Sequence, residues 1–146
     1  MESQSAEFAH RNLPLLLLQA REHLMERFRP ILNAHGVSEQ QWRIMRALLD
    51  DADGLEPREI GDVCRLSSPS LAGMLARMDD LGLVTRQRLA HDQRRVRVRL
   101  TAKSRALAAR IAPAVEETYR RMERELGSEL LGRLYRTLDE VLAASL

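Results

Sequence analysis

Residues 82–107 read GLVTRQRLAHDQRRVRVRLTAKSRAL, and this segment decides the fold. Its valines and leucines alternate with polar residues at a period of two, which is typical of strands with one buried and one solvated face. We expect strands at residues 83–89 and 95–100, joined by a polar tip at residues 90–94. The segment is therefore predicted to form a β-hairpin.

The predicted hairpin carries a high density of positive charge. Between Arg86 and Arg105 there are eight basic residues and one acid. Alternation along the second strand predicts that Arg95, Arg97 and Arg99 form an outward row of guanidinium groups. Such a row favours a polyanionic partner. The alternative is a solvated edge strand whose charges protect it from aggregation.

Length and composition indicate one mainly helical domain that spans residues 1–146. The chain is 45% hydrophobic but only 3% aromatic, which suits helices packed through aliphatic side chains. Its apolar runs are too short for a leader peptide or a membrane span, so we expect a cytoplasmic protein with no membrane partner. Cys64 is the single cysteine, which excludes an internal disulfide and favours a buried thiol.

Helical periodicity accounts for most of the remaining chain. Ser38 and Gln41 have the spacing of a capping box, Thr101 can cap the helix after the hairpin, and Ser128 is expected to cap the last one. Pro113 is expected to bend or divide the long helix in which it lies. Helices are predicted at about residues 12–35, from 38 to the 50–54 break, 57–65, 68–81, 102–126 and from 128 onward.

The third and fourth predicted helices are separated by a short turn, which is a helix-turn-helix arrangement, and the hairpin completes a winged version. Ile60, Val63 and Cys64 are expected to face inward on the third helix. On the fourth helix the predicted buried stripe consists of Leu71, Met74, Leu75, Met78 and Leu81. The opposite face carries small residues and one arginine, which suits close approach to a DNA groove. The expected DNA contacts on this helix are Ser68, Pro69, Ser70, Gly73 and Arg77.

Two stretches carry a family resemblance. LSSPSLAGMLARMDDLGLVTR (residues 66–86), followed by HDQRRVRVRLT (residues 91–101), resembles the recognition helix and wing of the MarR family of winged-helix regulators. LLLLQAREHLMERFRPILNAHGVSEQQWRIMR (residues 15–46) is similar to the regulators of homoprotocatechuate and nicotinate degradation within that family. The usual glycine soon after Thr101 is absent, and Ser104 stands near its place.

The resemblance implies an organisation and a function. Helices at residues 12–35 and 102–146 would join two chains into a homodimer, and residues 38–100 would form the winged-helix lobe. The dimer would bind an inverted repeat of double-stranded DNA and repress catabolic or efflux genes until a small aromatic acid binds. At the wing, Asp92 is expected to hold the Arg94 guanidinium for insertion into a minor groove, with Arg95 as the second candidate there. Arg86 and Arg88 are expected to contact phosphates or to link the lobes.

The same resemblance puts the effector where the dimer helices meet the DNA lobe. Trp42 and Arg46 share a face of the second helix and would supply an aromatic wall and a partner for a carboxylate. Solvated charges or interhelix salt bridges are the alternative interpretation of the polar candidates. On one face of the first helix the candidate ligand-binding residues are Arg11, Leu15, Gln19 and Glu22.

Enzymatic chemistry is not indicated. The four histidines lack metal-ligand spacing, no glycine-rich phosphate loop is present, and Cys64 has no activating base beside it in the sequence. We therefore expect no enzyme activity, no cofactor and no metal site. Two other hypotheses stay open: a winged-helix module for protein assembly that has no ligand, and a redox regulator that uses Cys64.

Overall fold

The computed structural model describes residues 4–146, which form six helices and one antiparallel hairpin. This architecture confirms the predicted mainly α fold with a small β wing. The elements in chain order are α1 (Leu13–Ala34), α2 (Glu39–Leu49), α3 (Pro57–Cys64), α4 (Ser68–Asp80), β1 (Val84–Leu89), β2 (Asp92–Leu100), α5 (Ala102–Leu126) and α6 (Ser128–Ala143). Within the described residues, no helix is both long enough and apolar enough to cross a membrane.

Side-chain caps begin three of the helices. The Leu15 N–H donates to the Asn12 side chain at 3.2 Å. Ser38 and Gln41 exchange hydrogen bonds of 3.1 Å between side chain and backbone, which confirms the predicted capping box. Thr101 and Ser104 form the same reciprocal pair at the start of α5. Ser104 thus supplies a defined helix start without the glycine usual in the family.

One prediction about a helix boundary is wrong. Ser128 is the first helical residue of α6 and not its cap, because Gly127, with φ of 88°, occupies the capping position. Of the two outcomes expected at Pro113, a bend or a division, the division is excluded, because α5 runs unbroken from Ala102 to Leu126. Ile111 and Val115 are buried on either side of Pro113, so core packing stabilises the helix there despite the missing N–H.

The hairpin differs from its prediction in length. β2 begins at Asp92, three residues before the expected position, because a register shift between Arg88 and Leu89 lets Leu89 pair with Asp92. This irregularity lengthens the paired region and shortens the tip.

The core lies among the second half of α1, the winged-helix elements and the inner side of α5. Two residues predicted to be buried are exposed: Val63 (66%) and Leu81 (44%). Ile60 and Cys64 already fill the space that the short helix α3 shares with its neighbours, and Leu83 takes the core position after the chain turns at Gly82. Residues at most 1% exposed include Leu32, Ile44, Met45, Leu48, Ile60, Met78, Val84, Val98 and Ile111.

The loop between α2 and α3 is joined to the wing by backbone hydrogen bonds. Leu55 and Val98 exchange N–H···O bonds of 3.0 and 2.8 Å. Gly54, with φ of 86°, precedes this bridge, and a Cβ there would overlap the Val98 carbonyl oxygen and the Arg99 side chain. Only glycine fits at this position.

We predict opposite effects of alanine at two glycines. Gly54→Ala should lower the free energy of unfolding by at least about 2 kcal/mol, because it combines a strained φ with a backbone overlap. Gly73→Ala, at an exposed helical position with no atom within 4 Å of the new methyl, should raise it by up to about 1 kcal/mol. Urea unfolding of both variants tests this, and equal effects would contradict the assignment.

Candidate nucleic-acid interface and effector cavity

The turn between α3 and α4 comprises residues 65–67. Arg65 has φ of 55°, and the Leu66 N–H donates to the Gly61 carbonyl at 3.1 Å. These contacts end α3 in the left-handed conformation common at helix C-termini. Ser67 then precedes α4, which gives the predicted helix-turn-helix arrangement.

The outer face of α4 carries the residues expected to contact DNA. Leu71, Leu75 and Met78 are buried, so the opposite face of α4 points away from the core. Near its N-terminus the Ser67 hydroxyl donates to the Ser70 hydroxyl at 3.0 Å. Small side chains and backbone N–H groups therefore line the end of α4 that a DNA groove would meet. The exposed residues on this face are Ser68, Pro69, Ser70, Gly73 and Arg77.

The wing tip departs from prediction in how Asp92 acts. Asp92 Oδ1 accepts a hydrogen bond of 3.0 Å from the Arg94 backbone N–H and not from its guanidinium. The carboxylate reaches the amide two residues on, as in an Asx turn, and shapes the tip. Within residues 4–146 the exposed Arg94 side chain forms no hydrogen bond or ion pair, so its guanidinium is available to a partner.

Arg95 forms an ion pair with Glu56, the residue that precedes α3. Its guanidinium donates to both Glu56 oxygens, Nε to Oε1 at 2.8 Å and Nη2 to Oε2 at 2.7 Å. The hydrogen bond to Arg95 lowers the pKa of Glu56, so the pair persists at neutral pH and is lost only as the pH falls through that lowered value. Glu56 directly precedes α3, and the pair therefore ties the wing to the helix-turn-helix.

The three arginines of the predicted row lie on the outward face of β2, as the alternation predicts, but their guanidinium groups are engaged within the chain. Arg97 and Arg99 both donate to the Asp53 carbonyl, at 3.4 and 2.8 Å. The loop before α3 lies beside β2 and supplies acceptors along it, which the alternation of the strand alone does not reveal. This row anchors the wing to the α2–α3 loop.

The two arginines of β1 also have partners within the chain. Arg86 Nε donates to Asp79 Oδ2 at 2.8 Å and so joins the wing to α4. Arg88 donates to the Gln93 carbonyl across the hairpin. Both therefore stabilise the lobe itself.

Cys64 is buried in the core, as predicted. Its thiol is 2% exposed and contacts the Arg43 carbonyl oxygen at 3.6 Å. Burial raises the pKa of the thiol, which disfavours the reactive thiolate at neutral pH. This environment opposes the hypothesis of a redox switch at Cys64.

The first-helix candidates for effector binding do not converge on a cavity within one chain. Arg11 lies before the helix begins, and Leu15 and Gln19 are exposed on its first turns. Glu22 is engaged by Arg21 at 3.1 Å and by Arg29 at 2.7 Å, as the salt-bridge alternative expects. Trp42 is partly buried against the core.

Two adjoining cavities lie among α1, α2, α5 and α6. The apolar cavity has a volume of about 220 Å³, and its lining includes Arg21, Leu24, Met25, Phe28, Tyr119, Met122 and Tyr135. The polar crevice, of about 400 Å³, shares Tyr119, Leu131 and Tyr135 with it and adds Arg46, Glu116, Arg120 and Glu123. Arg46 is thus the one predicted ligand residue that lines either cavity.

The aromatic wall of the apolar cavity was missed at the sequence level. The rings of Phe28 and Tyr119 lie 5.1 Å apart at 52°, and burial raises the pKa of Tyr119. Tyr135 lines both cavities. The chain has only five aromatic residues, and this scarcity was the one signal in the sequence that could have singled out Phe28, Tyr119 and Tyr135.

Comparisons with known proteins identify the family. The sequence profile described as MarR family matches residues 35–95. The homoprotocatechuate degradative operon repressor of Escherichia coli is 38% identical over 134 residues, covering 92% of this chain and 90% of that protein. The chain belongs to the MarR family. This membership confirms the resemblance found in the sequence. It also confirms the expectation that the chain is a transcriptional regulator and not an enzyme.

Solved structures of MarR-type regulators share the whole fold. NadR in complex with 4-hydroxyphenylacetate is 38% identical, with a TM-score of 0.82 over 99% of this chain and 100% of that chain. CouR bound to a 23-mer DNA duplex is 25% identical, with a TM-score of 0.80 over 89% of this chain and 92% of that chain. These matches confirm the winged-helix fold class.

We predict that Glu56 and Arg95 act as one unit in DNA binding. Glu56→Gln should weaken binding to promoter DNA by roughly threefold to tenfold, because the wing loses its anchor to α3. Arg95→Ala should have a similar effect, and the double variant should be no weaker than either single one. Fluorescence anisotropy with DNA from upstream of the gene measures all three.

Glu129→Gln on α6 is the control, since it removes the same charge far from the wing. If Arg95 instead contacts the minor groove directly, Arg95→Ala will weaken binding further in the Glu56→Gln background. That result would contradict the anchoring role.

Proposed function

We propose that this MarR-family chain is a dimeric repressor that binds an inverted-repeat operator and is released by a small aromatic carboxylic acid. The observation that carries the proposal is the apolar cavity, which gathers aromatic rings beside Arg21 and adjoins a polar crevice lined by Arg46 and Arg120. A ring fits the apolar lining, and a guanidinium suits a carboxylate. The relative NadR, crystallised with 4-hydroxyphenylacetate, supports this choice of ligand class.

For DNA binding we propose that α4 enters the major groove and the wing tip approaches the adjacent minor groove. The small residues Ser68, Pro69, Ser70 and Gly73 permit close approach to the groove floor, and Arg77 reaches a phosphate or a guanine edge. Arg94 is the minor-groove contact because its guanidinium has no partner among residues 4–146. Asp92 contributes by fixing the backbone of the tip.

A homodimer is proposed because the helices outside the winged-helix lobe expose large apolar side chains. No residue of α6 is buried, and Leu13, Leu15, Leu17 and Leu18 of α1 are also exposed. A two-fold pairing of residues 12–35 and 102–146 covers both faces and leaves the lobe at residues 38–100 outside the interface. The apolar side chains that α6 exposes are Leu130, Leu134, Leu138, Val141 and Leu142.

In the proposed dimer, the candidate ligand-binding residues at the start of α1 could contact the effector bound to the other chain. Arg11, Leu15 and Gln19 line neither cavity of their own chain, and they lie on the surface assigned to the dimer. We propose that they reach the effector across the interface. Within each chain Arg46 binds the carboxylate in the polar crevice, and Trp42 and Glu22 support the walls around it.

Release from DNA follows from differential affinity. The acid must bind better to a dimer whose two α4 helices are spaced wrongly for successive major grooves. A ligand that bound free and operator-bound protein equally would shift nothing.

Two arginine variants test the DNA interface. Arg94→Ala should weaken binding to specific and random DNA about equally and reduce the steepness of the salt dependence by about one phosphate contact. Arg77→Ala should also relax sequence preference, by about 1–3 kcal/mol at the base pair that it contacts. Arg121→Ala, which removes an exposed arginine of α5, is the control.

Affinity for promoter DNA that hardly changes with salt would contradict the proposed interface. That outcome would favour the alternative of a protein-assembly module without a regulatory ligand. Equal losses on specific and random DNA for both variants would contradict the division of roles between Arg77 and Arg94.

A matched pair of ligands tests the effector site. We expect 4-hydroxyphenylacetate to raise the melting temperature of the wild-type protein and to weaken its DNA binding. Arg46→Ala should lower affinity for this acid by about 10- to 100-fold, because a charge-assisted hydrogen bond is lost. The neutral amide, 4-hydroxyphenylacetamide, should bind wild type and variant equally in calorimetry. Equal losses for acid and amide would contradict the role of Arg46.

A further inference from the structure

One carboxylate lies at the centre of a charged cluster between α1 and α2. Glu39 is the first residue of α2, and its side chain is only 16% exposed. It accepts hydrogen bonds from Arg21, from Arg29 at 3.2 Å and from Arg43 at 3.0 Å. We call these four residues the Glu39 cluster.

The cluster reaches the helix-turn-helix through Arg43. One nitrogen of this guanidinium binds Glu39, and another donates to the Cys64 carbonyl at 2.9 Å. That carbonyl belongs to the last residue of α3 and lacks a partner within the helix, so Arg43 caps it. The next residue, Arg65, begins the turn into α4.

The other end of the cluster reaches the effector site. Arg21 lines the apolar cavity and binds Glu39. A molecule that fills the cavity therefore contacts a partner of Glu39. Within residues 4–146, every side-chain hydrogen bond between α1 and α2 ends on Glu39, whereas Arg27 of α1 binds Glu125 of α5.

We propose that Glu39 and Arg43 couple occupancy of the apolar cavity to the position of the α3–α4 turn. The inference rests on the proposed function, since it names how the effector changes DNA affinity. Displacement of Arg21 removes one of the three cations around a mostly buried carboxylate. The electrostatic attraction between Glu39 and Arg43 then becomes stronger. Arg43 shifts toward Glu39, and its hydrogen bond to the Cys64 carbonyl weakens. Hydrogen bonds depend on the angle between donor and acceptor, whereas apolar contacts do not. A shift of Arg21 therefore changes the position of Arg43 in a defined direction.

Thermodynamic coupling tests the link. DNA affinity is measured by anisotropy without acid and with saturating 4-hydroxyphenylacetate, and acid affinity is measured by calorimetry. In wild type the acid should weaken DNA binding by about 5- to 150-fold, the usual range for coupled sites. Glu39→Gln should keep each separate affinity within about threefold while the coupling falls at least about fivefold.

Two further variants make the result specific. Glu125→Gln is the control, because Glu125 also binds an arginine of α1, Arg27, but lies on α5 and lines neither cavity. It should retain the coupling of wild type. Arg43→Lys keeps the charge beside Glu39 but lacks the two separate donors that bridge Glu39 and Cys64. It should lose coupling as Glu39→Gln does, which also covers the case that Glu39→Gln fails to fold.

Backbone hydrogen exchange separates this inference from the proposed function. Without acid, Glu39→Gln should speed exchange at residues 64–68, where the Leu66 N–H binds Gly61, and Glu125→Gln should not. If aromatic acids neither bind the wild-type protein nor change its DNA affinity, the proposed function is wrong. The exchange rates then test by themselves whether Glu39 and Arg43 control the α3–α4 turn. Unchanged exchange in Glu39→Gln, or coupling equal to that of wild type, would overturn the inference.

Discussion

The backbone bridge between Leu55 and Val98 is the contact on which the geometry of the DNA-binding lobe depends. It fixes the wing against the loop that leads into α3, and Gly54 permits the close approach. Asp53 and Glu56, on either side of the bridge, then bind three successive outward arginines of β2. Wing and helix-turn-helix are therefore joined as one unit, which the proposed contact with two grooves at once requires.

The arginines of this chain fall into two groups: some bind carboxylates or carbonyls within the fold, and others project into solvent. Those whose guanidinium meets a carboxylate or carbonyl of the fold hold elements together, as Arg86 joins β1 to α4 and Arg95 joins β2 to α3. Arg77 and Arg94 project from the surface that α4 and the wing tip form. The count of basic residues thus exceeds the number of arginines that are free to meet a partner on this surface.

The helical elements outside the lobe are built differently. The apolar surface of α6 and of the first turns of α1 faces solvent in the single chain, whereas the inner sides of α1, α5 and α6 enclose a cavity walled by aromatic rings. The Glu39 cluster lies between this cavity and the winged-helix lobe. In the proposed coupling, the hydrogen bonds of this cluster connect a ligand in the cavity to the α3–α4 turn.

The sequence by itself determined the elements and their order, because caps such as Ser38 with Gln41 and alternation such as Val96 and Val98 act within a few residues. It also located the helix face and the wing that carry the proposed DNA contacts. Only the tertiary structure decided which arginines are engaged, that Asp92 binds a backbone amide, and that Phe28, Tyr119 and Tyr135 share a cavity. Asp92 could bind either the backbone N–H or the guanidinium of Arg94, and the conformation of the wing tip decides between them. For the arginines and the aromatic rings one physical reason applies. A guanidinium or an aromatic ring takes its partner from whatever the fold brings beside it, and those partners are distant in the chain.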